Sequence, residues 1–252
     1  MRVNRIKGSG KGIGILGIFR NIATCIGIFS IAVIVYIYSA PISSVLPVKH
    51  IVFTGNRHLT DDELKAIAGV HTDQSLFAIS NKKVSQMMLK SPWIRSVSIR
   101  KEIPDKLLFI VEEAEPLALL DMNTRLFLVD DRGKLLEELK DGSIPFLPVI
   151  TGDPFKDGAG FLEAIKLAKL MNIKGFSSER DQIEIFAGKP HELTVTIDGT
   201  VVKMGSGKYE EKLERLVELE DELKNRGIPV DYIDLRFENR AIVKPIASEK
   251  VE

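Results

Sequence analysis

Cysteine is almost absent from this chain of 252 residues. The one cysteine, Cys25, lies within a long apolar segment near the N-terminus. A single cysteine cannot form a disulfide within the chain, and it neither requires nor excludes an oxidising compartment. The chain is long enough to bury a hydrophobic core of its own, as one sizeable domain or two small ones.

Groups of residues that carry out catalysis or bind metal ions are also missing. No Gly-x-Ser-x-Gly motif of a nucleophilic serine is present. The neighbouring carboxylates of Asp130 and Asp131 precede Arg132-Gly133 between two apolar runs, which is typical of a β-hairpin tip. None of the histidines has the spacing of a metal ligand: His50, His58, His71 and His191. The sequence therefore predicts no active site, metal or cofactor, and a protein that is not an enzyme.

Two glycine-rich segments have parts of phosphate-binding motifs without their context. Residues 12–17 fit the pattern G-x-G-x-x-G, but they follow a basic leader and precede an apolar run, so no sheet can present them. Residues 205–208 read Gly-Ser-Gly-Lys, but Val202 and Tyr209 replace the glycine and the Ser or Thr that the phosphate-binding loop needs. We interpret the second segment as a turn that leads into a helix.

The formal net charge of zero hides an asymmetry. All charged residues before Asn21 are basic, and without these five the remaining chain has 30 basic and 35 acidic residues. A mildly acidic body with a short basic leader argues against a nucleic-acid-binding protein, which would carry a basic face. The basic residues of the leader are Arg2, Arg5, Lys7, Lys11 and Arg20.

A transmembrane helix is predicted over residues 21–45. No charged side chain occurs from 21 to 48, and about 20 apolar residues in a helix cross a hydrocarbon core of about 30 Å. The basic leader 1–20 is expected to stay in the cytoplasm, with the remaining chain outside. A cleaved signal peptide is the alternative, but cleavage after Ala40 would place Tyr38 at the third position before the cut and Pro41 directly after it.

Residues 46–115 have the pattern of a small β-α-α-β-β domain. Thr60 and Glu63 have the spacing of a capping box, and Gly69 stands where the first helix should end. Two helices packed on one face of a three-stranded sheet would make a plausible core. The strands are predicted around 51–53 and over 93–100 and 107–113, and the second helix over 82–89.

The ordered set of short motifs in this region resembles a POTRA domain. Each motif is weak alone, but together they extend over some seventy residues. They are Ile51-x-Phe53-x-Gly55-Asn56, Leu59-Thr60-x-x-Glu63-Leu64, Leu76-Phe77, Pro92-Trp93-Ile94, Ile103-Pro104-Asp105-Lys106-Leu107 and Val111-x-Glu113-x-x-Pro116-x-Ala118.

Residues 116–244 are predicted to form a larger, β-rich domain with two helices, followed by a disordered tail over 245–252. Asp198-Gly199 between two alternating runs is the strongest hairpin signal in the chain. The fold class is therefore α+β. The predicted helices are 161–172 and 209–226, and the predicted strands are 126–129, 134–136, 183–186, 193–197, 201–204, 232–237 and 241–243.

This arrangement of leader, membrane helix, POTRA domain and β-rich domain is similar to the FtsQ/DivIB cell-division family. The motifs that carry the resemblance are Leu128-Val129-Asp130-x-x-Gly133, Leu147-Pro148-x-Ile150-x-Gly152, Val202-x-Met204-Gly205 and Tyr232-Ile233-Asp234-Leu235-Arg236-Phe237. The resemblance implies a non-catalytic divisome scaffold that links early and late division proteins at the septum. It also implies a single-pass protein of the bacterial inner membrane with a periplasmic body. The implied partners are proteins of the FtsB and FtsL types, with FtsK, FtsW and FtsI types as further candidates.

Two surfaces are expected to bind these partners. The last strands lie at the chain end, where one of them is expected to be a sheet edge that can accept a partner strand. Arg236, Phe237, Asn239 and Ile242 are predicted to line this site, unless Arg236 and Phe237 only complete the sheet. The polar turn 238–240 and Lys244-Pro245 depart from the family pattern. The second expected surface, on the POTRA domain, surrounds Arg57 and Glu63.

Two other functions are less consistent with the sequence. A POTRA protein for outer-membrane assembly or polypeptide transport would usually carry several POTRA repeats and a membrane β-barrel. One POTRA unit is present here, and too few alternating strands follow it for eight crossings. A membrane-anchored cell-wall hydrolase would need a catalytic group of residues.

Overall fold

The computed structural model describes residues 15–39, 46–140, 145–238 and 240–246. The first helix, α1, spans Ile15–Ser39, and its described side chains, those of 24–36, are exposed. The predicted transmembrane segment overlaps α1 as far as Ser39. Its last residues, 40–45, lie outside the described residues, as do 1–14 of the leader. Within the described ranges, no helix is both long and apolar enough to cross a membrane.

The first domain has the predicted β-α-α-β-β order. Strand β3 is central, and it pairs in parallel with β1 and antiparallel with β2. The slip in the alternation of the second strand appears as a register shift between Ile94 and Ser96. The elements are β1 (His50–Thr54), α2 (Asp61–Ala68), α3 (Asn81–Met88), β2 (Ile94–Glu102) and β3 (Lys106–Glu113).

Helix α2 begins and ends as its sequence predicts. The Thr60 hydroxyl accepts a hydrogen bond from the backbone N–H of Glu63, and the Glu63 carboxylate accepts one from the backbone N–H of Thr60 at 2.8 Å. Gly69 ends the helix at φ +61°. This reciprocal capping satisfies two donors that a helix N-terminus otherwise leaves without partners.

The two helices bury their apolar faces against the three-stranded sheet. Phe53 and Phe109 stack on neighbouring strands, with ring centroids 4.7 Å apart. The fully buried side chains of this core include Leu64, Leu76, Met88, Leu107 and Phe109. The domain therefore has a hydrophobic core of its own.

The second domain is built on one mixed sheet of nine strands, in the order β12-β11-β10-β9-β8-β7-β4-β5-β6. The strands are β4 (Pro116–Met122), β5 (Arg125–Asp130), β6 (Leu135–Leu139), β7 (Val149–Thr151), β8 (Ile183–Phe186), β9 (Thr194–Ile197), β10 (Thr200–Lys203), β11 (Val230–Asp234) and β12 (Ile242–Pro245). Three neighbouring pairs of strands are parallel, β4–β7, β7–β8 and β10–β11, and the other neighbouring pairs of this sheet are antiparallel.

The two predicted helices of this domain are present and pack into the core with the sheet. Helix α4 spans Gly158–Ile173, and α5 spans Tyr209–Arg226, the range predicted from the sequence. Helix α4 packs closely against the chain after β8 at Gly160, where a Cβ atom would lie 1.5 Å from the carbonyl oxygen of Gly188. This approach leaves no room for any side chain at position 160.

Strand β4 is buried on both of its faces. All residues from Leu117 to Leu120 are buried, because Ala118 and Leu120 pack toward α4 whereas Leu119 packs with Trp93 of the first domain. A strand covered on both sides has a continuous apolar run instead of alternation, as this sequence does.

Polar contacts join the two domains beside this apolar cluster. The Trp93 indole N–H donates to the Glu137 carboxylate at 3.3 Å. Asp131, at the β5–β6 turn, accepts from Arg95 of the first domain and from Lys169 of α4 at 2.8 Å. One carboxylate therefore connects β2, the β5–β6 turn and α4.

Replacing Asp131 with asparagine should lower stability at neutral pH but not in acid. The hydrogen bond from Lys169, followed by Arg95, holds the pKa of Asp131 below its usual value. A carboxyl group whose pKa is lower in the folded state stabilises the fold at pH values above its unfolded-state pKa, about 3.9. This stabilisation is lost as the pH falls through the folded-state pKa. Thermal unfolding of the parent protein and the variant between neutral pH and about pH 3 should show a difference in melting temperature that becomes smaller as the pH falls. A difference that is constant over this range would contradict the role of the Asp131 charge.

Candidate partner-docking surfaces

Strand β12 is an edge strand of the nine-stranded sheet. It pairs antiparallel with β11, with Ile242 opposite Asp234 and Lys244 opposite Tyr232, and no other described strand pairs with it. An edge strand presents a row of N–H and C=O groups to which another chain can add as a strand. The strand continues to Pro245, one residue into the predicted tail, and residues 247–252 of that tail lie outside the described residues.

Exposed apolar side chains lie at both ends of β12, and Ile246, directly after the strand, is 54% exposed. Ile242 is 42% exposed at the start of β12. The Tyr232 ring lies between two ammonium groups, Lys203 at 4.1 Å and Lys244 at 5.5 Å from its centroid. These cation–π contacts hold the tyrosine ring against the sheet. Within β12 itself, Ile242 is the exposed large apolar side chain.

The chain between β11 and β12 differs from the prediction. The strand predicted over 232–237 ends at Asp234, so Arg236 and Phe237 form a loop instead of completing the sheet. The Arg236 guanidinium binds both oxygens of the buried Asp234 carboxylate, at 2.9 and 2.6 Å. This hydrogen-bonded pair lowers the pKa of Asp234 and fixes the direction in which the chain leaves the sheet. Asn239 lies outside the described residues.

A cavity of about 230 Å³ lies between this loop and the beginning of α5. We call it the cationic cavity, because four of its lining residues are basic and two are acidic. The lining residues are Ser206, Lys208, Glu211, Lys212, Arg215, Arg236, Phe237 and Glu238. Two predicted site residues, Arg236 and Phe237, thus meet in one cavity, and Ile242 lies a few residues further along the same chain segment.

Lys212 is the most buried of these cations. Its side-chain ammonium donates to the carbonyl oxygens of Met204 at 2.7 Å and Ser206 at 3.0 Å, and burial lowers its pKa. The glycine-rich segment 205–208 is therefore the turn that leads into α5, as predicted, and Lys212 binds the carbonyl oxygen of its Ser206 and that of Met204 just before it. The bonds from Lys212 fix the shape of the cavity floor.

Arg215 holds the loop that carries the predicted site residues. Its guanidinium donates to the carbonyl oxygens of Phe237 at 3.1 Å and Glu238 at 2.6 Å, and Lys208 pairs with the Glu238 carboxylate at 3.0 Å. Helical spacing alone places Arg215 on the charged, solvated face of α5. No local pattern relates it to a loop some twenty residues away, so the sequence could not have identified it.

Replacing Arg215 with methionine should loosen this loop while α5 stays folded. Methionine keeps the aliphatic stem but removes two hydrogen bonds to backbone carbonyls, at a cost of about 1 kcal/mol in unfolding free energy. Hydrogen exchange should become faster for amides of residues 235–241. Arg226→Met is the matched control, because Arg226 pairs only with Glu222 on its own helix. Equal exchange in both variants would contradict the role of Arg215.

Arg57 and Glu63 lie in the first domain and make different contacts there. Arg57 lines a cavity of about 350 Å³ near the domain junction, together with His58, whose ring stacks on Trp93 at 3.6 Å. The Glu113 carboxylate shapes this loop, since it accepts the backbone N–H groups of residues 57–59. Glu63 is part of the capping box instead, and hydrogen bonds from Thr60 lower its pKa.

The described residues offer no obvious place for a metal ion. Within the ranges that the structure describes, no group of three or more His, Cys, Asp or Glu side chains is arranged to hold one. The cationic cavity is lined by more basic side chains than the cavity beside Arg57, and these basic groups favour acidic side chains as ligands.

Comparison with known proteins identifies two matching family models. The model of the POTRA domain, FtsQ-type, matches residues 46–114, and the model of cell division protein FtsQ/DivIB, C-terminal, matches residues 118–236. Cell division protein FtsQ of Geobacter sp. (strain M21) is 33% identical over 200 residues, covering 75% of this chain and 73% of that protein. FtsQ of Geotalea daltonii is 30% identical over 198 residues, covering 75% and 72%. Cell division protein DivIB of Bacillus anthracis is 23% identical over 187 residues, covering 70% and 69%.

Proposed function

Because this chain belongs to the FtsQ/DivIB family of cell-division proteins, we propose that it is a non-catalytic divisome scaffold. It links early and late division proteins at the septum and binds partners of the FtsB and FtsL types through its second domain. We retain 46–115 and 116–244 as the proposed division into POTRA and β-rich domains. FtsK, FtsW and FtsI types are further candidate partners.

The free edge of β12 is the observation that carries this proposal. A partner segment can add to the sheet as a tenth strand, because backbone hydrogen bonds to the free side of β12 provide affinity without a deep pocket. Ile242 supplies an apolar contact at the start of that strand. The polar residues around it would keep the free edge from pairing with copies of itself, as charged side chains do on other edge strands.

The cationic cavity adds a charge preference. Lys208, Lys212, Arg215 and Arg236 surround a concave space directly beside the chain that leads into β12. Glu211 and Glu238 line the cavity as well, and Asp234 pairs with Arg236. One positive charge remains in excess, so an acidic side chain of the partner is the favoured occupant. A partner segment with a carboxylate close to its docking strand fits both features together.

Membrane anchoring is the third part of the proposal. The apolar residues of 21–45 form a single transmembrane helix with the basic leader in the cytoplasm and both domains in the periplasm of the inner membrane. Support comes from the uncharged sequence of 21–48 and from the exposed apolar side chains of α1. Confinement to the membrane surface raises the effective concentration of membrane-bound partners, so modest affinities suffice.

The test of this function is a binding titration of the full chain, in lipid nanodiscs, against the periplasmic segments of the FtsB- and FtsL-type proteins of the same organism. Saturable binding that requires acidic residues in the segment is the expected result. Failure to bind either segment, with the chain shown folded, would refute the scaffold proposal. Copurification with outer-membrane assembly proteins instead would support the transport alternative.

The POTRA surface around Arg57 and Glu63 is the proposed site for upstream division proteins, and paired substitutions at the capping box test it. Glu63→Gln keeps a side chain that can cap α2 but removes a charge that favours the folded state, so the melting temperature should fall only slightly. Thr60→Ala removes the cap and should cost about 1 kcal/mol in unfolding free energy. If Glu63 contacts a partner, septal recruitment should fall in Glu63→Gln, measured as fluorescence at the division site. Normal recruitment of Glu63→Gln would exclude Glu63 from the site.

A further inference from the structure

We propose that the first domain contacts the bilayer through two exposed apolar side chains, Phe77 and Ile103. Both lie at the end of the domain at which the chain arrives from α1. The surface comprises the loop 73–80, the β2–β3 turn 103–105 and the first turn of α3. Its occupant is the anionic outer surface of the membrane that holds the anchor, so this inference rests on the anchoring proposed above.

The residues that lead into the first domain are fixed against the loop 73–80. We call residues 46–49 the lead-in segment. The backbone N–H of Leu76 donates to the carbonyl of Leu46 at 2.9 Å, and Val48 exchanges hydrogen bonds with Gln74 and Asp73, each at 2.9 Å. This loop therefore lies beside the point where the chain arrives from α1.

The β2–β3 turn lies beside the same segment. The carbonyl oxygen of Asp105 accepts the backbone N–H groups of Lys49 at 2.8 Å and His50 at 3.2 Å. In the sheet register, the first residue of β1, His50, pairs with the first residue of β3, Lys106. The turn and the loop thus bracket the lead-in segment at one end of the three-stranded sheet.

Each of these two connections exposes one large apolar side chain. Phe77 is 58% exposed and Ile103 is 71% exposed. A single exposed apolar residue is ordinary on a protein surface. These two share the end of the sheet at which the chain enters, and both are of the kind that partitions into the interfacial layer of a bilayer.

The short connection between α1 and the lead-in segment keeps this end of the first domain close to the membrane. Seven residue steps separate Ser39, the last residue of α1, from Leu46, and they can extend over at most about 25 Å. The predicted transmembrane segment ends at residue 45, one residue before the lead-in segment. The opposite end of the sheet, where β3 ends at Glu113, leads to the second domain.

The charges around the two side chains suit an anionic surface. Lys82 and Lys83 lie exposed in the first turn of α3, which contains no acidic residue. Positive charges at a helix N-terminus oppose the helix dipole, so these lysines do not stabilise α3. The nearby acids Glu102 and Asp105 are paired with Lys106 and Lys49, respectively, which leaves Asp73 as the remaining exposed carboxylate of the bracketing loops. Anionic headgroups attract such basic clusters.

A fluorescent probe that reports on lipid contact tests the proposal in the full chain. In a Cys25→Ser background, Phe77→Cys or Ile103→Cys carries the probe, and the protein is placed in nanodiscs that contain phosphatidylglycerol with quencher groups near the headgroups. Phe155→Cys is the control, since Phe155 is 80% exposed but lies in the second domain. Quenching at 77 and 103 should exceed that at 155 by about threefold or more, as for side chains that enter the interface.

The outcomes separate this inference from the anchor. If the chain is incorporated into the nanodiscs and the probes at 77 and 103 are quenched no more than the probe at 155, the contact is refuted and the anchor stands. If the chain does not remain with the nanodiscs, both are refuted. Thermal unfolding shows whether each labelled variant is folded, and quenching is compared among folded variants. Stronger quenching at 77 and 103 than at 155 in these variants supports the contact.

Discussion

Replacing Ile242 with aspartate is expected to abolish binding of an FtsB-type segment while the nine-stranded sheet stays folded. Ile242 is partly exposed at the start of the edge strand, so the substitution puts no charge into the core. In the complex, however, the added strand would cover this position. An unpaired carboxylate buried in that interface costs roughly 3–5 kcal/mol, which corresponds to a loss of affinity of about 100-fold or more.

The matched control is Ile173→Asp. Ile173 is an exposed isoleucine at the end of α4, outside the proposed docking surface. Both variants should keep the circular dichroism spectrum of the parent protein, and only Ile242→Asp should lose binding in the titration. The melting temperature of Ile242→Asp should fall slightly, because the new carboxylate lies opposite Asp234 in the register of β11 and β12. Unchanged affinity of Ile242→Asp would rule out strand addition at β12. Equal losses in both variants would point to a general effect of negative charge.

Replacing Gly160 with alanine should have the largest effect on stability. The new methyl group would lie 1.5 Å from the carbonyl oxygen of Gly188, and because the obstacle is backbone, either α4 or the chain that follows β8 must move. Overpacking of this kind costs about 3 kcal/mol, since the displaced helix also loses its contacts with the core. For a domain of this size the melting temperature should fall by roughly 10 °C.

Gly158→Ala provides the control within the same helix. A Cβ atom at position 158 would have no neighbour within 4 Å, so alanine there should be neutral or slightly stabilising. Differential scanning calorimetry of the two variants separates a steric effect from a general effect of losing glycine. Similar melting temperatures for the two variants would mean that α4 can shift without loss of packing.

The parts of the fold that depend on local chemistry could be predicted from the sequence. The capping box of Thr60 and Glu63, the range of α5 and the Asp-Gly hairpin between β9 and β10 are confirmed, because each depends on residues a few positions apart. The first domain's order of elements is confirmed for the same reason. Its apolar spacing changes clearly from the period of a strand to that of a helix.

Features that depend on distant contacts could not be predicted in this way. The parallel pairs that join β4 to β7 and β10 to β11 are absent from any local pattern. The early end of β11 follows from the bond between Arg236 and Asp234, which turns the chain away from the sheet. The cationic cavity depends on Arg215, whose partners lie in another element. Residue types alone do not reveal such long-range pairings.

The direction of β12 determines how the protein would respond to mechanical load. A partner strand added along this edge lies parallel to the strand axis, so tension along the partner would act in shear on the pairing of β11 and β12. In shear, the four register pairs of this ladder must break together, whereas a perpendicular force would open them one at a time. Attachment along an edge strand therefore resists tension along the strand better than the same number of hydrogen bonds pulled open from one end.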